Sequence, residues 1–277
     1  MYMAIVIPIH PPHYQYAKHI IDKLKKIDLY FVFTTHTDLK NFPHTCNSIV
    51  LEDYLEESQI QKINAKNIFP SLKKLIALSL LYKKYDYISC IDAEIKVLKE
   101  PDLRLIYESR TVIGGYINKN AERKIIWNST VLTTHQKYHP QLKSISEDFH
   151  YYTWWSVFPV YKSSTIPNFL IFIGFNNMIQ FIDKLNWFFF EHMAYNYYCL
   201  LFENFKKIKI KNGSHSLEFE GLKVIKNYEH YNLGWVNANA YKENKKYYDD
   251  NRTIYFVYHL DRFGVEQEDA KYSLYFI

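Results

Sequence analysis

Three cysteines in 277 residues, Cys46, Cys90 and Cys199, are too few, too widely spaced and of the wrong parity for a disulfide framework or a zinc motif. A reducing, cytoplasmic setting is the expectation. Only seven glycines occur, which argues against a repeat protein or a glycine-rich barrel. Met1 to Ile9 carry no basic leader and no small-residue cleavage site, so they read as a first strand instead of a signal peptide. The most apolar stretch, Ile166 to Phe190, is interrupted by Asn168, Gly174, Asn176, Asn177, Gln180, Asp183, Lys184 and Asn186, which a bilayer-spanning helix does not tolerate cheaply. The excess of positive charge is small, 34 Lys and Arg against 29 Asp and Glu. It is too mild to indicate nucleic acid, and it weakly favours a phosphorylated ligand or peripheral contact with the inner face of the cytoplasmic membrane.

Hydrophobic residues make up 48% and charged residues 23%, globular proportions that leave little room for long disorder. At this length one catalytic domain with a small C-terminal extension is expected. Aromatic residues reach 18%, with 26 tyrosines. Such rings suit sugar binding, because their faces pack on the apolar side of a pyranose while a phenol reaches a hydroxyl.

Met3 to Ile9 reads as a buried strand stopped by Pro11-Pro12, His13 to Ile27 as a helix and Leu29 to Thr35 as a second strand, giving a β-α-β opening. Ser48 to Leu51 reads as a short third strand and Glu52 to Lys66 as a surface helix or loop. Ser71 to Tyr82 has the spacing of an amphipathic helix, and Tyr87 to Asp92 that of a buried strand ending in acid. Beyond these, Thr111 to Tyr116 reads as strand and turn, Asp148 to Pro167 as a loop-rich aromatic cap, and Asn186 to Phe205 as an aromatic helix. Lys207 to Ile210, Leu222 to Ile225 and Thr253 to Tyr258 are late strands. The fold expected is α/β: a mixed, mostly parallel sheet flanked by helices.

A strand that releases Asp92 and Glu94 at its carboxyl end puts charge where open α/β sheets place ligands. The two acids alternate by two, so on extended backbone they face the same way. Paired carboxylates can hold a divalent cation whose other positions take a diphosphate. A cation there offsets charge on a departing nucleoside diphosphate.

The segments Lys73 to Leu78, Lys84-Tyr85-Asp86-Tyr87-Ile88 and Ile91-Asp92-Ala93-Glu94-Ile95-Lys96-Val97-Leu98 resemble the centre of GT-A fold glycosyltransferases, in particular bacterial lipopolysaccharide and capsule transferases. Val6 to His10 is similar to the first, nucleotide-cradling strand of that fold. The likeness spans the first hundred residues or so, and the third motif position carries Glu94 where Asp is commoner. It implies a hexosyltransferase acting on a nucleotide-diphosphosugar, a uridine diphosphosugar first among them, and on a saccharide or lipid-linked saccharide acceptor of a surface glycan. It also implies a nucleotide-sugar-binding half at 1–115, and an acceptor-binding half with a C-terminal extension at 116–277.

Under this resemblance the metal, manganese before magnesium, is held by Asp92, Glu94 and the late histidine His259. Lys73 and Lys74 contact sugar or diphosphate, with Asp92 and Ala93 beside them, and Thr35 approaches nucleobase or ribose. Pro8, His10 and His13 are expected to line the same pocket. Glu191, a charge inside an apolar stretch, is expensive to bury without purpose and is the expected base or acceptor contact, with Glu147 and Asp148 as competitors. Trp154, Trp155 and His192 are expected on the acceptor side. Three other readings stand beside this one: a sugar-phosphate nucleotidyltransferase, disfavoured by the lack of glycine in Pro8 to His13; a non-catalytic glycan binder; and a hydrolase, disfavoured because Asp92 and Glu94 are too close in sequence to flank a glycosidic bond.

Overall fold

Met3 to Pro8 carry no charge and offer no polar face to water, and in the computed structural model they form the central strand of a sheet, β1 (Met3–Pro8). The structure describes residues 1–108, 111–114, 137, 158–186, 189–203, 206–209, 231–235, 253–259 and 274–276. A short turn of 3-10 helix at Pro11–His13 leads into α1 (Tyr14–Lys23), β2 (Asp28–Phe33), α2 (His36–Lys40) and β3 (Asn47–Val50). Next come α3 (Glu57–Lys66), α4 (Phe69–Leu81), β4 (Tyr87–Cys90), β5 (Ile95–Lys99), α5 (Leu103–Glu108) and β6 (Thr111–Gly114). The later elements are β7 (Val160–Lys162), α6 (Ile166–Ile173), α7 (Met178–Lys184), α8 (Glu191–Phe202), β8 (Lys206–Lys209), β9 (Tyr231–Trp235), β10 (Thr253–His259) and β11 (Leu274–Phe276).

The main sheet has the order β3-β2-β1-β4-β7, with β7 antiparallel to β4 and the other pairings parallel. The chain is thus α/β, with a five-stranded, mostly parallel, Rossmann-like sheet flanked by helices. From central β1 the chain winds to β2 on one side and later to β4 on the other. The winding reverses between β1 and β4, and open sheets bind ligands outside the carboxyl ends of strands at such a reversal. A second sheet, β11-β9-β10-β5, pairs β10 antiparallel to β5 with His259 opposite Ile95, and β6 pairs with β8 in parallel.

Two helices tie this sheet to the site. α4 buries Leu72, Leu75, Ile76 and Leu78 and meets β1, while α8 is buried at every position from Glu191 to Leu200. Inside α8, the Tyr195 hydroxyl bonds Thr165 Oγ1 at 2.7 Å and accepts the Lys162 amide at 3.1 Å, pinning the helix to the end of β7. Burying the ring of Tyr195 against Tyr161 and Phe169 adds apolar area, and the paired hydroxyl avoids the cost of a stranded polar group.

Several parts of the structure differ from the sequence reading. Asp148 to Pro167 is not all cap, because its end supplies β7 and the start of α6; Tyr161 is fully buried there, which a solvent-facing cap would not allow. β9 was not expected, since Asn232 and Gly234 interrupt its apolar pattern. Asp92 to Glu94 is a turn between β4 and β5, not extended backbone, with the Ile95 amide 3.4 Å from the Asp92 carbonyl. Trp154, Trp155, Glu147, Asp148 and the strand expected at Leu222 to Ile225 lie outside the described residues.

Candidate functional site

A cleft of about 660 Å3 opens at the carboxyl ends of β1, β2 and β4, and among the described residues all those lining it except Phe190 come from the chain up to Glu94. Pro8, His10 and His13 reach it from the end of β1, Thr35 from the end of β2, Lys73 and Lys74 from α4, and Asp92 and Glu94 from the turn after β4. These eight expected site residues therefore share one cavity. Ala93 does not line it: its side chain turns into the core.

Pro70 starts α4 in the first turn, where its missing amide hydrogen costs nothing, and the next turn carries Lys73 and Lys74. Adjacent lysines on an amphipathic helix usually mark its wet face, yet both are buried, at 3% and 6% exposure. Each is therefore paired. Lys73 Nζ donates to the Ile9 carbonyl at 2.6 Å, and burial lowers its pKa to about 8 against a small opposing pull from Asp38.

Lys74 Nζ lies 2.8 Å from Asp92 Oδ1 and 3.5 Å from Glu191 Oε1. Burial would discharge this amine, but the two carboxylates outweigh it and hold the pKa above the usual lysine range. Glu191 shows the converse. Burial alone would raise its pKa, while Lys74 and then His192 hold it down at about 2. Glu191 is the first residue of α8, where the helix dipole also favours a negative charge.

The remaining polar groups have local partners. His13 Nδ1 lies 3.4 Å from Glu94 Oε2, and the His13 and His10 rings stand 3.9 Å apart. Burial, then His13 and Lys73, lowers the His10 pKa to about 4, so His10 is neutral at pH 7 and offers a ring face or a neutral hydrogen-bonding nitrogen. Thr35 lines the cleft, but its hydroxyl already accepts the Asp38 amide at 3.0 Å while Asp38 accepts the Thr35 amide, a capping box that starts α2. The sequence reading of Thr35 as a nucleotide contact missed this second task.

Two expected acceptor-side residues are not in the cleft. Glu191 has no exposed surface and lies behind Lys74, and His192 is buried beside it with Nδ1 3.6 Å from Glu191 Oε1. In this arrangement Glu191 faces Lys74, not the open cleft. Asp38 and Phe190, which sequence reasoning missed, do line the cleft.

Charge decides what the cleft can hold. Among the described residues the cleft is lined by the acids Asp38, Asp92 and Glu94 against Lys73 and Lys74, with Glu191 buried behind Lys74. Asp92 and Glu94 offer the oxygen donors that manganese or magnesium takes. The backbone of β10 sets His259 in register with Ile95, the residue after Glu94. Among the described side chains alone, no three His, Cys, Asp or Glu groups form a metal cluster. A comparison with protein-family models finds no match, and neither does a comparison with curated proteins, so the reading of the site rests on its geometry.

Proposed function

We propose that this protein is a GT-A-type glycosyltransferase that binds a nucleotide-diphosphosugar in the cleft at the ends of β1, β2 and β4 and transfers the sugar to a saccharide acceptor. The observation that carries the proposal is the meeting, at the winding reversal, of two cleft-facing carboxylates, Asp92 and Glu94, with two buried lysines, Lys73 and Lys74. A diphosphate needs positive charge at fixed positions, and buried ammoniums held by Ile9, Asp92 and Glu191 are pre-organised to give it.

Asp92, Glu94 and His259 would hold a divalent metal, which would neutralise charge on the leaving nucleoside diphosphate. Lys73 then faces a diphosphate oxygen, and Lys74 fixes the Asp92 carboxylate in place. Neutral His10, with Pro8, suits the nucleobase or ribose end. At about 660 Å3 the cleft has the volume of a site for a cofactor-sized ligand.

Binding of a panel of nucleoside diphosphates and nucleotide sugars, followed by thermal shift with and without manganese, tests this. One nucleotide should raise the melting temperature of the wild type only with metal, and Asp92→Asn should lose the effect. If neither protein responds to any nucleotide, the donor-site reading is wrong.

A further inference from the structure

A carboxylate taken out of water normally gathers hydrogen bonds in exchange. Glu191 does not: its side chain is fully buried at the head of α8, and among the described residues neither Oε1 nor Oε2 has a hydrogen-bond partner. The nitrogens that face it stop short. Lys74 Nζ stands 3.5 Å from Oε1 and His192 Nδ1 3.6 Å, whereas a charged N–H···O bond closes to about 2.7–2.9 Å.

Lys74 is drawn to the other side. Its short contact, 2.8 Å, is with Asp92 Oδ1, on a carboxylate that lines the cleft. At 6% exposure the ammonium has little water to turn to, and Asp92 and Glu191 are the acids within ion-pair distance of it. One ammonium is thus shared unequally between an acid that faces the cleft and an acid that does not.

The backbone around this triad is tied down. Ser71, on the same helix as Lys74, donates its hydroxyl to the Phe189 carbonyl at 2.9 Å, which fixes α4 against the start of α8. The Ile91 amide donates to the Val6 carbonyl at 3.0 Å, which anchors the turn carrying Asp92 to β1. The long Lys74 side chain is the part free to adjust. Moving its ammonium from 3.5 Å to hydrogen-bond distance of Glu191 takes less than the length of one covalent bond.

Cation binding gives that movement a purpose. The positive charge that neutralises Asp92 opposes a divalent cation arriving at the same carboxylate. A second acid, already buried and lacking a hydrogen bond, gives the ammonium somewhere to go.

We propose that Asp92, Lys74 and Glu191 form a charge shuttle: Lys74 neutralises Asp92 in the metal-free protein and slides toward Glu191, still within reach of Asp92, when the cleft-facing carboxylate takes a divalent cation. Glu191 is then a positioning residue that touches neither metal nor nucleotide and yet sets how tightly Asp92 holds a cation. The shuttle rests on the donor-site reading of the cleft.

Titration of the full chain with manganese alone, followed by the electron paramagnetic resonance of the free ion, tests the shuttle without nucleotide and without turnover. In Glu191→Gln, Lys74 has only Asp92 left, and manganese affinity should fall about tenfold or more, the size typical of an outer-shell partner of a metal. Lys74→Met/Glu191→Gln removes both charges of the buried pair, a change such pairs often accept, and should bind manganese at least as tightly as the wild type. A purely structural role for Glu191 would weaken both variants alike, and that result overturns the proposal, as does an unchanged affinity in Glu191→Gln. Melting temperatures without metal identify a variant that fails to fold. Should Glu191→Gln fail, the double variant decides, because weaker binding there than in the wild type contradicts the shuttle. Thermal shift with nucleoside diphosphates on the same proteins keeps the two readings apart. A manganese-dependent nucleotide response with equal manganese affinity in wild type and Glu191→Gln overturns the shuttle alone, whereas no nucleotide response and no manganese uptake by the wild type overturns the donor site with it.

Discussion

Glu191 Oε1 lies 3.5 Å from Lys74 Nζ with none of its own surface open to solvent, so a full negative charge is buried against a single ammonium. Lys74 keeps Asp92 if Glu191 is lost, whereas Glu191 without Lys74 loses its ammonium. Lys74→Met should destabilise the fold by about 3–5 kcal/mol, the cost of leaving a buried charge unpaired, as measured by urea unfolding at pH 7.

The same pair sets the sign of the acid response. In the wild type the Glu191 pKa is depressed from 4.5 to about 2, so its contribution is present above pH 4.5 and is lost as pH falls through about 2. Without Lys74, burial dominates and raises that pKa. Lys74→Met should therefore gain stability on mild acidification, where the wild type shows no such gain from this group. Unfolding midpoints measured from pH 7 down to pH 5 decide between the two signs.

Lys73 should make diphosphate affinity depend on pH. Its pKa of about 8 in the free protein means that the cation is present below pH 8 and lost as pH rises through it. Titration calorimetry with a nucleoside diphosphate should show flat affinity near pH 7 and weakening above pH 8. Lys73→Met should be weaker at all pH values and lack that inflection.

His259→Ala should weaken manganese-dependent nucleotide binding by more than the roughly tenfold typical of an outer-shell partner of a metal. Its metal-free melting temperature should stay close to that of the wild type. Thermal shift with and without manganese reads both quantities. An unchanged response to metal would remove His259 from the ligand set.

Gly174 ends α6 with φ of +83°, and a Cβ built there meets nothing within 4 Å. Gly174→Ala should therefore fit without a clash yet cost about 1–2 kcal/mol, because the left-handed backbone itself disfavours a side chain. Thermal unfolding measures the loss.

Strands β1, β2 and β4 are legible in the sequence because each is an unbroken apolar run bounded by loop residues, and the carboxyl ends of such runs locate the cleft. Asp92, Glu94, His10 and His13 follow from that placement, since each stands within a few residues of a strand end. The burial of Lys73 and Lys74 is not legible locally. It depends on Ile9, 64 positions from Lys73, and on Asp92 and Glu191, 18 and 117 positions from Lys74, which only the folded chain brings together. The surroundings of Glu191 are illegible for a related reason. A charge in an apolar stretch signals that something must pair with it, without saying whether the partner is a substrate or a lysine.

β7 closes the outer edge of β4 from far along the chain, with Ser89 Oγ donating to the Pro159 carbonyl 70 positions later. During synthesis β4 can add to β1 well before that edge is covered. At about 5–20 residues per second the open interval is roughly 4–14 s. For that time the nascent chain exposes the unpaired amides and carbonyls of a fully buried strand, a template for association with another chain. Chains truncated before residue 158 should accordingly aggregate where the full chain does not, and the dependence of this protein on holding chaperones should be greatest in that window of its translation.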